Sequence, residues 1–277
     1  MLGAAAVAAG GYGGWLEPQR RLSVARYRPD VPGWGGRAPL RIVMLSDIHA
    51  GEPVMPAARV AAVVARANAL RPDLILLLGD FAGHDRFVSA LVPMATIAGL
   101  LGGLRAPLGV HAVLGNHDWW DDPQASPQYP PACVEALAAA GVSVLRNGAL
   151  RLRDGADGFW LAGLDSQTAF HETGADDLPR VLAALEDDAP AILMAHEPDI
   201  FARATPRFAM QLSGHTHGGQ IRLAGWSPRV PSAYGNRYAY GLVREEGRSL
   251  VVSGGLGCST LPVRFGVPPE ITLVEVA

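Results

Sequence analysis

A chain of 277 residues, 49% hydrophobic and 18% charged, is long enough for one large domain or two small ones and too apolar to be intrinsically disordered. Its 33 glycines and 22 prolines are spread along the sequence, the net charge is −3, and all 23 basic residues are arginines without a basic tract. That composition excludes collagen-like and linker-like order and argues against a stable grip on a nucleic-acid backbone. Cys133 and Cys258 lie far apart; they form neither a metal-ligand spacing nor a disulfide framework, which leaves the redox compartment open.

Residues 1–16 are mostly alanine, glycine and valine, with Arg20 and Arg21 shortly after. The run is shorter than the roughly 20 apolar residues of a membrane span and lacks the positive leader of a secretory signal. Two readings stand, the tail of a signal-anchor that begins upstream and a frayed glycine-rich arm. Residues 17–39 carry Pro18, Pro29, Pro32 and Pro39 among several glycines and read as an extended lead-in. The organisation expected is therefore an arm and lead-in over 1–39 and one domain over 40–277.

Residues 40–46 form an apolar β-branched run, a buried strand. The segment 56–70 has helical spacing and opens on Pro56, where helices accept proline. A strand at 73–78, a helix at 87–101 and a strand at 109–114 follow, and strand–helix–strand units of this length imply parallel pairing with right-handed crossovers. A proline-rich loop spans 121–131 and a short helix 132–140. Strands are expected at 142–146, 150–153 and 159–164, a helix at 177–185, and strands at 191–195, 208–212, 238–243, 249–253 and 271–276. With no internal repeat and no composition break, this reads as one domain of two stacked sheets with helices on the outer faces.

Five apolar strands are each followed at once by polar residues able to bind metal: Asp47 and His49; Asp80; Asn116, His117 and Asp118; His196; and His215 and His217 within Gly-His-Thr-His-Gly-Gly. Most of these fragments alone read more readily as a turn, a cap or a buried histidine, whereas two imidazoles at i, i+2 between glycines are hard to explain structurally. Their joint occurrence, every one at a strand end, points to a single edge where ligands gather.

The series Asp-x-His, Gly-Asp, Gly-Asn-His-Asp, His, Gly-His-x-His resembles that of the calcineurin-like metallophosphoesterases. The resemblance implies α/β architecture, a four-layer α/β/β/α sandwich of two mixed sheets with a dinuclear metal site at the strand ends. It implies that Asp47, His49 and His217 hold one ion, that Asn116, His196 and His215 hold the other, and that Asp80 bridges them. Mixed nitrogen and oxygen donors without cysteine suit manganese, iron or zinc. His117 is implied to contact phosphate and to protonate the leaving oxygen, while a metal-bridging hydroxide attacks phosphorus in line. Asp118 either orients that imidazole or caps the following turn.

Gly-His-Thr-His-Gly-Gly-Gln, the tyrosine-rich stretch 234–242 and Pro-Pro-Glu-Ile at 268–271 are similar to a bacterial subgroup, often membrane-tethered. The reading that follows is a phosphodiesterase or diphosphatase acting on an envelope phospholipid or nucleotide-linked glycolipid, as a monomer, at a membrane surface. The rivals are a soluble cyclic-nucleotide or broad-specificity phosphodiesterase in the cytoplasm and a non-catalytic metal-binding interaction module. The Gly-Asp and Gly-Asn-His-Asp stretches depart from the protein Ser/Thr phosphatase pattern, and full retention of the ligands argues against the module. Asp165-Ser166 replaces a pair of acids, which leaves Asp165 without an assigned role. Trp119 and Trp120 either line the pocket mouth or cover a helix. Residues 256–267, with the single charge of Arg264, either receive an acyl chain or form the last turn before the final strand. His84 is a candidate substrate contact, and His111 is read as structural.

Overall fold

Alternation along the strands sets the layers. In Leu40–Leu45, the side chains of Leu40, Ile42 and Met44 enter one apolar cluster while Val43 and Leu45 enter another. In Phe159–Leu164, Phe159 and Leu161 join the first of these clusters and Trp160, Ala162 and Leu164 a third. A period of two with both faces buried requires cover on each side. The computed structural model describes residues 10–277 and shows that cover.

The first sheet has the order Ser23–Tyr27, Glu270–Val276, Leu40–Leu45, Leu74–Leu77, Val110–Ala112, Ser143–Val144. The second runs Gly241–Glu245, Arg248–Val252, Phe208–Ser213, Ala191–Ala195, Phe159–Leu164, Gly148–Leu152. Their inner faces meet through Ile42, Leu76, Phe159, Ile192 and Met210. The helices Ala57–Ala69, Met94–Leu101 and Cys133–Ala139 cover the first sheet, and Leu178–Ala183 covers the second. The result is a four-layer α/β/β/α sandwich of two mixed sheets. Within each sheet the central strands pair in parallel, as crossover helices demand.

The lead-in contributes more than extended chain. Helical turns Tyr12–Leu16 and Glu17–Arg20 precede Ser23–Tyr27, which pairs in parallel with Glu270–Val276 and so belongs to the first sheet. Pro18 lies where the wide turn Tyr12–Leu16, closed by the Glu17 N–H on the Tyr12 carbonyl, passes into Glu17–Arg20. The two readings of residues 1–16 bear mostly on 1–9, which lie outside the described residues. Among the described residues no helix is long and apolar enough to cross a membrane.

The helix expected over 87–101 begins only at Met94, because Pro93 bars the preceding residue from helical backbone. Ala90–Leu91 instead pairs with Gly51–Glu52. The strand expected over 238–243 starts at Gly241, since Gly235–Tyr238 is a helical turn that buries Tyr238 against Phe201.

Candidate metal centre

All five polar segments emerge at the carboxyl ends of parallel strands, three from the first sheet and two from the second, so the two sheets close on a common edge. Asp47, His49, Asp80, Asn116, His196 and His217 are buried there. Asp47, His49, Asp80, His215 and His217 have φ between 42° and 67°. Left-handed backbone at five non-glycine residues is held only where surrounding contacts dictate it, and such outliers collect at functional sites.

Those contacts are visible. The Asp47 carboxylate accepts the His215 backbone N–H at 2.9 Å, and Asp80 Oδ1 accepts that of His117 at 2.9 Å. Asp118 accepts three N–H groups, from Asp80 and Gly115 at 2.8 Å and from Phe81 at 3.0 Å. It thereby ties the loop after one strand to the helix Asn116–Trp120 and completes half of a capping box at its start. A Cβ on Gly115 would overlap Asp80 Oδ1 and the His196 ring, and one on Gly214 would overlap Ser46 and the Asp47 carboxylate. Only glycine lets these strand ends approach so closely.

Ligand-capable atoms of Asp47, His49 and His217 all lie within 4.8 Å of one another, and so do those of Asp47, Asp80 and His196. Asp80 Oδ2 is 3.4 Å from His49 Nε2 and 3.2 Å from His196 Nε2. Asn116 Oδ1 lies 2.8 Å from His215 Nδ1, and the His196 and His215 rings are 5.1 Å apart. The seven residues singled out in the sequence therefore form one contiguous cluster.

Its chemistry fits divalent cations. Two buried carboxylates face imidazoles and have no arginine partner among the described ion pairs. His196 Nε2 and both ring nitrogens of His49 are buried without a hydrogen-bond partner, which is costly unless one nitrogen of each ring gives its lone pair to a cation. His196 Nδ1–H donates to the Leu78 carbonyl, so Nε2 is the ring nitrogen that faces Asp80 and Asp47. Burial, His49 and Arg264 hold the His217 imidazole well below its ordinary pKa, so it is neutral, as a ligand must be. Burial alone would raise the Asp80 carboxyl, but His196 holds it well below the usual carboxylate range.

The carboxylate that serves His117 is Asp121, not Asp118. Asp121 Oδ2 stands 3.0 Å from His117 Nδ1, one helical turn on, and 3.5 Å from His84 Nδ1. Burial opposes the charge on His117, but Asp121 and Asp80 outweigh it and lift the pKa to about 9. Asp118 is spent on three backbone donors, and burial together with the Asp80 charge pushes its pKa up to about 6. The i, i+4 spacing of His117 and Asp121 is the signal in the sequence that could have found this pair.

Two further supports had weaker signals. Arg264, the single charge in its apolar segment, is fully buried; it donates to the Gly254 carbonyl at 2.7 Å and to those of Gly257 and Val267, and places Nη2 3.2 Å from His217 Nδ1. Glu197, buried beside His196, accepts from Ser166, from the Gln167 N–H at 3.0 Å and from Thr168 Oγ1 at 2.9 Å. The loop so fixed accepts Trp120 Nε1 at the Thr168 carbonyl, 2.7 Å away. Trp120 thus stands at the cleft while Trp119 is buried under the helices. Asp165 pairs with Arg146 at 2.9 Å, and His171 stacks on Trp120. Both cysteines are free and lie outside the cluster.

The site opens into a cleft of about 400 Å³. Asp80, Asn116, His117, His215 and His217 form its floor, and Ile221, Pro228, Pro231, Leu261 and Val263 one wall, with Arg229 and Gln220 among them.

A fold with two mixed sheets and an Asp/His/Asn cluster across their strand ends defines a metal-dependent phosphoester hydrolase. Residues 40–219 match the calcineurin-like phosphoesterase family (Metallophos), and the chain belongs to that family, whose members use two divalent metals. It is 33% identical over 285 residues to the uncharacterized metallophosphoesterase YkuE of Bacillus subtilis, covering 98% of this chain and 92% of that protein. It is 29% identical over 240 residues to the phosphodiesterase YaeI of Escherichia coli, covering 86% and 82%. A bovine transmembrane protein with metallophosphoesterase domain is 34% identical over 242 residues, 84% of this chain, which spans only 52% of that relative's length.

Proposed function

We propose that the chain is a phosphodiesterase or diphosphatase whose substrate carries an apolar group, of the envelope phospholipid or nucleotide-linked glycolipid kind. The observation that carries this reading is the cleft, with its floor of metal-binding residues and its wall of Ile221, Pro228, Pro231, Leu261 and Val263. A polar reaction centre that continues into an apolar wall suits a phosphoester whose other half is hydrophobic.

Asp47, His49 and His217 would hold one ion, Asn116, His196 and His215 the second, with Asp80 between them. When bound, the ions supply an acidified water and offset charge on the phosphoryl oxygens. The remaining work belongs to the protein. Asp121 anchors His117 through Nδ1, so the ring presents Nε2–H to the cleft it lines and can protonate the departing oxygen. Asn116, a neutral donor, keeps the site's positive charge high enough to bind phosphate. Trp120, braced by Thr168, limits water at the opening.

The test is hydrolysis of bis-p-nitrophenyl phosphate against p-nitrophenyl phosphate by metal-loaded protein, then of diesters with growing alkyl chains. The expected result is a preference for the diester and a KM that falls with chain length. A monoester preference would overturn the diesterase reading, and indifference to chain length would overturn the apolar substrate.

A further inference from the structure

Besides Tyr129 and Leu91, large apolar side chains stand exposed on segments that line or adjoin the cleft. Trp226 is 59% exposed, Leu223 57%, Trp15 52% and Leu261 49%, with Phe87 and Leu16 close behind. They come from separate stretches of sequence, yet each stretch walls or adjoins the same opening. Leu261 lines the cleft and also a small crevice shared with Phe87. Leu223 and Trp226 pair across a two-residue turn, each backbone N–H donating to the other's carbonyl at 2.8 and 2.9 Å. Ala224 and Gly225 have φ of 49° and 82°, so the tip is a tight primed turn, and the two apolar residues are the pair that flanks it.

That turn is rigidly based. The Arg222 N–H donates to Phe265 at 2.7 Å and the Phe265 N–H to Gln220 at 2.8 Å. The chain leaving it supplies Pro228, Arg229 and Pro231 to the cleft wall. Trp15 and Leu16 belong to the N-terminal helical turn, which docks beside the cleft-lining residue Val263 through the Arg264 N–H on the Gly13 carbonyl at 2.9 Å and through Tyr12 edge-on to Phe265.

Soluble proteins rarely gather so much exposed apolar surface without a use for it. Here the side chains sit on separate supports, the turn at 223–226, the N-terminal helical turn and the segments of Phe87 and Leu261, that line or adjoin one opening. Arginines accompany them. Arg20 lies over Trp15 at 4.9 Å and Arg86 over Phe87 at 5.6 Å, and Arg229 is exposed at the cleft. Tryptophan, leucine and arginine side by side are what the boundary between water and an anionic bilayer accommodates, with rings and stems at the acyl edge and guanidinium groups at headgroup phosphates.

We propose that this collar is a bilayer-docking face, which seats the mouth of the cleft against the surface of an anionic membrane. Docking presents the site to phosphodiesters at headgroup depth without their extraction into water. This deepens the lipid reading above, while the docking itself is measurable without catalysis.

The experiment is co-sedimentation of the full-length chain with vesicles of phosphatidylcholine, with and without roughly a quarter phosphatidylglycerol. Wild type should pellet with the anionic vesicles and far less with phosphatidylcholine alone. Leu223→Ser combined with Trp226→Ser, and separately Trp15→Ser, should each lower binding roughly tenfold. Turnover of soluble bis-p-nitrophenyl phosphate should stay within about twofold, because none of the three lines the cleft. Wild type left in the supernatant, or variants that pellet like wild type, would overturn the docking face. Equal binding to both vesicles would overturn the arginine contribution. Absence of any diester turnover by metal-loaded wild type would instead sink the enzymatic reading and leave the vesicle result standing.

Discussion

His111 and His196 are buried histidines built on the same local device. His111 Nε2 lies 2.9 Å from the Leu108 carbonyl, and His196 Nδ1 donates to that of Leu78. In both, the second ring nitrogen is buried without a hydrogen-bond partner. The difference lies in what faces that nitrogen. Among the described residues no carboxylate pairs with His111, and burial lowers its pKa. His196 Nε2 has Asp80 at 3.2 Å and Asp47 at 4.0 Å. A carbonyl-held imidazole is therefore a packing unit or a metal-binding group according to the carboxylates delivered beside its free nitrogen. What delivers them is strand topology, not local sequence.

Removing the carboxylate or the imidazole on the His196 side should have the largest effect. Asp80→Ala and His196→Ala should each lower diester turnover by about 10³-fold or more, about 4 kcal/mol in activation free energy, and lose metal in elemental analysis. A variant of either kind that kept its metal and a tenth of its activity would break the comparison. His117→Ala should cost about a hundredfold or more in kcat while metal content stays at wild-type level. Loss of metal there would make His117 a ligand rather than a proton donor.

A third variant tests support of the site from below. Arg264→Ala strips donors from three carbonyls and from His217, and should lower stability by about 3 kcal/mol in urea unfolding. Arg264→Lys should not restore it, since one ammonium cannot serve the same set of partners. The smallest effect belongs to His111. Its folded pKa lies below the unfolded value near 6.5, so the unfolded chain takes up the proton first. Stability is then full above about pH 6.5 and declines as pH falls below it. In His111→Gln this share of the decline should vanish, so the gap between wild type and variant in urea midpoint narrows from pH 7 to pH 5. A gap that widened would mean His111 is charged in the folded protein.

The five strand-end segments were legible because each couples an apolar run to polar residues with little between them. Asp47 and His217 are 170 residues apart in sequence, yet parallel strands send both to one edge. The role of Asp121 was hidden because Asp118 stands nearer in sequence, and only the helix Asn116–Trp120 shows which carboxylate comes round to Nδ1. Arg264 was hidden because burial of an arginine among carbonyls leaves no periodic trace. Ser23–Tyr27 was hidden among prolines and glycines, since a strand of five residues is defined by its partner, Glu270–Val276.

That last pairing has a consequence for the order in which the molecule can be assembled. Among the described residues, Ser23–Tyr27 is hydrogen-bonded to Glu270–Val276 and to no other strand. On the ribosome this early strand must therefore wait, its edge unmatched, until Glu270–Val276 has been made. The residues from Asp47 to His217 emerge well before then. A nascent or stalled chain would carry every metal-binding group of the site before the sheet that bears the first of them is closed.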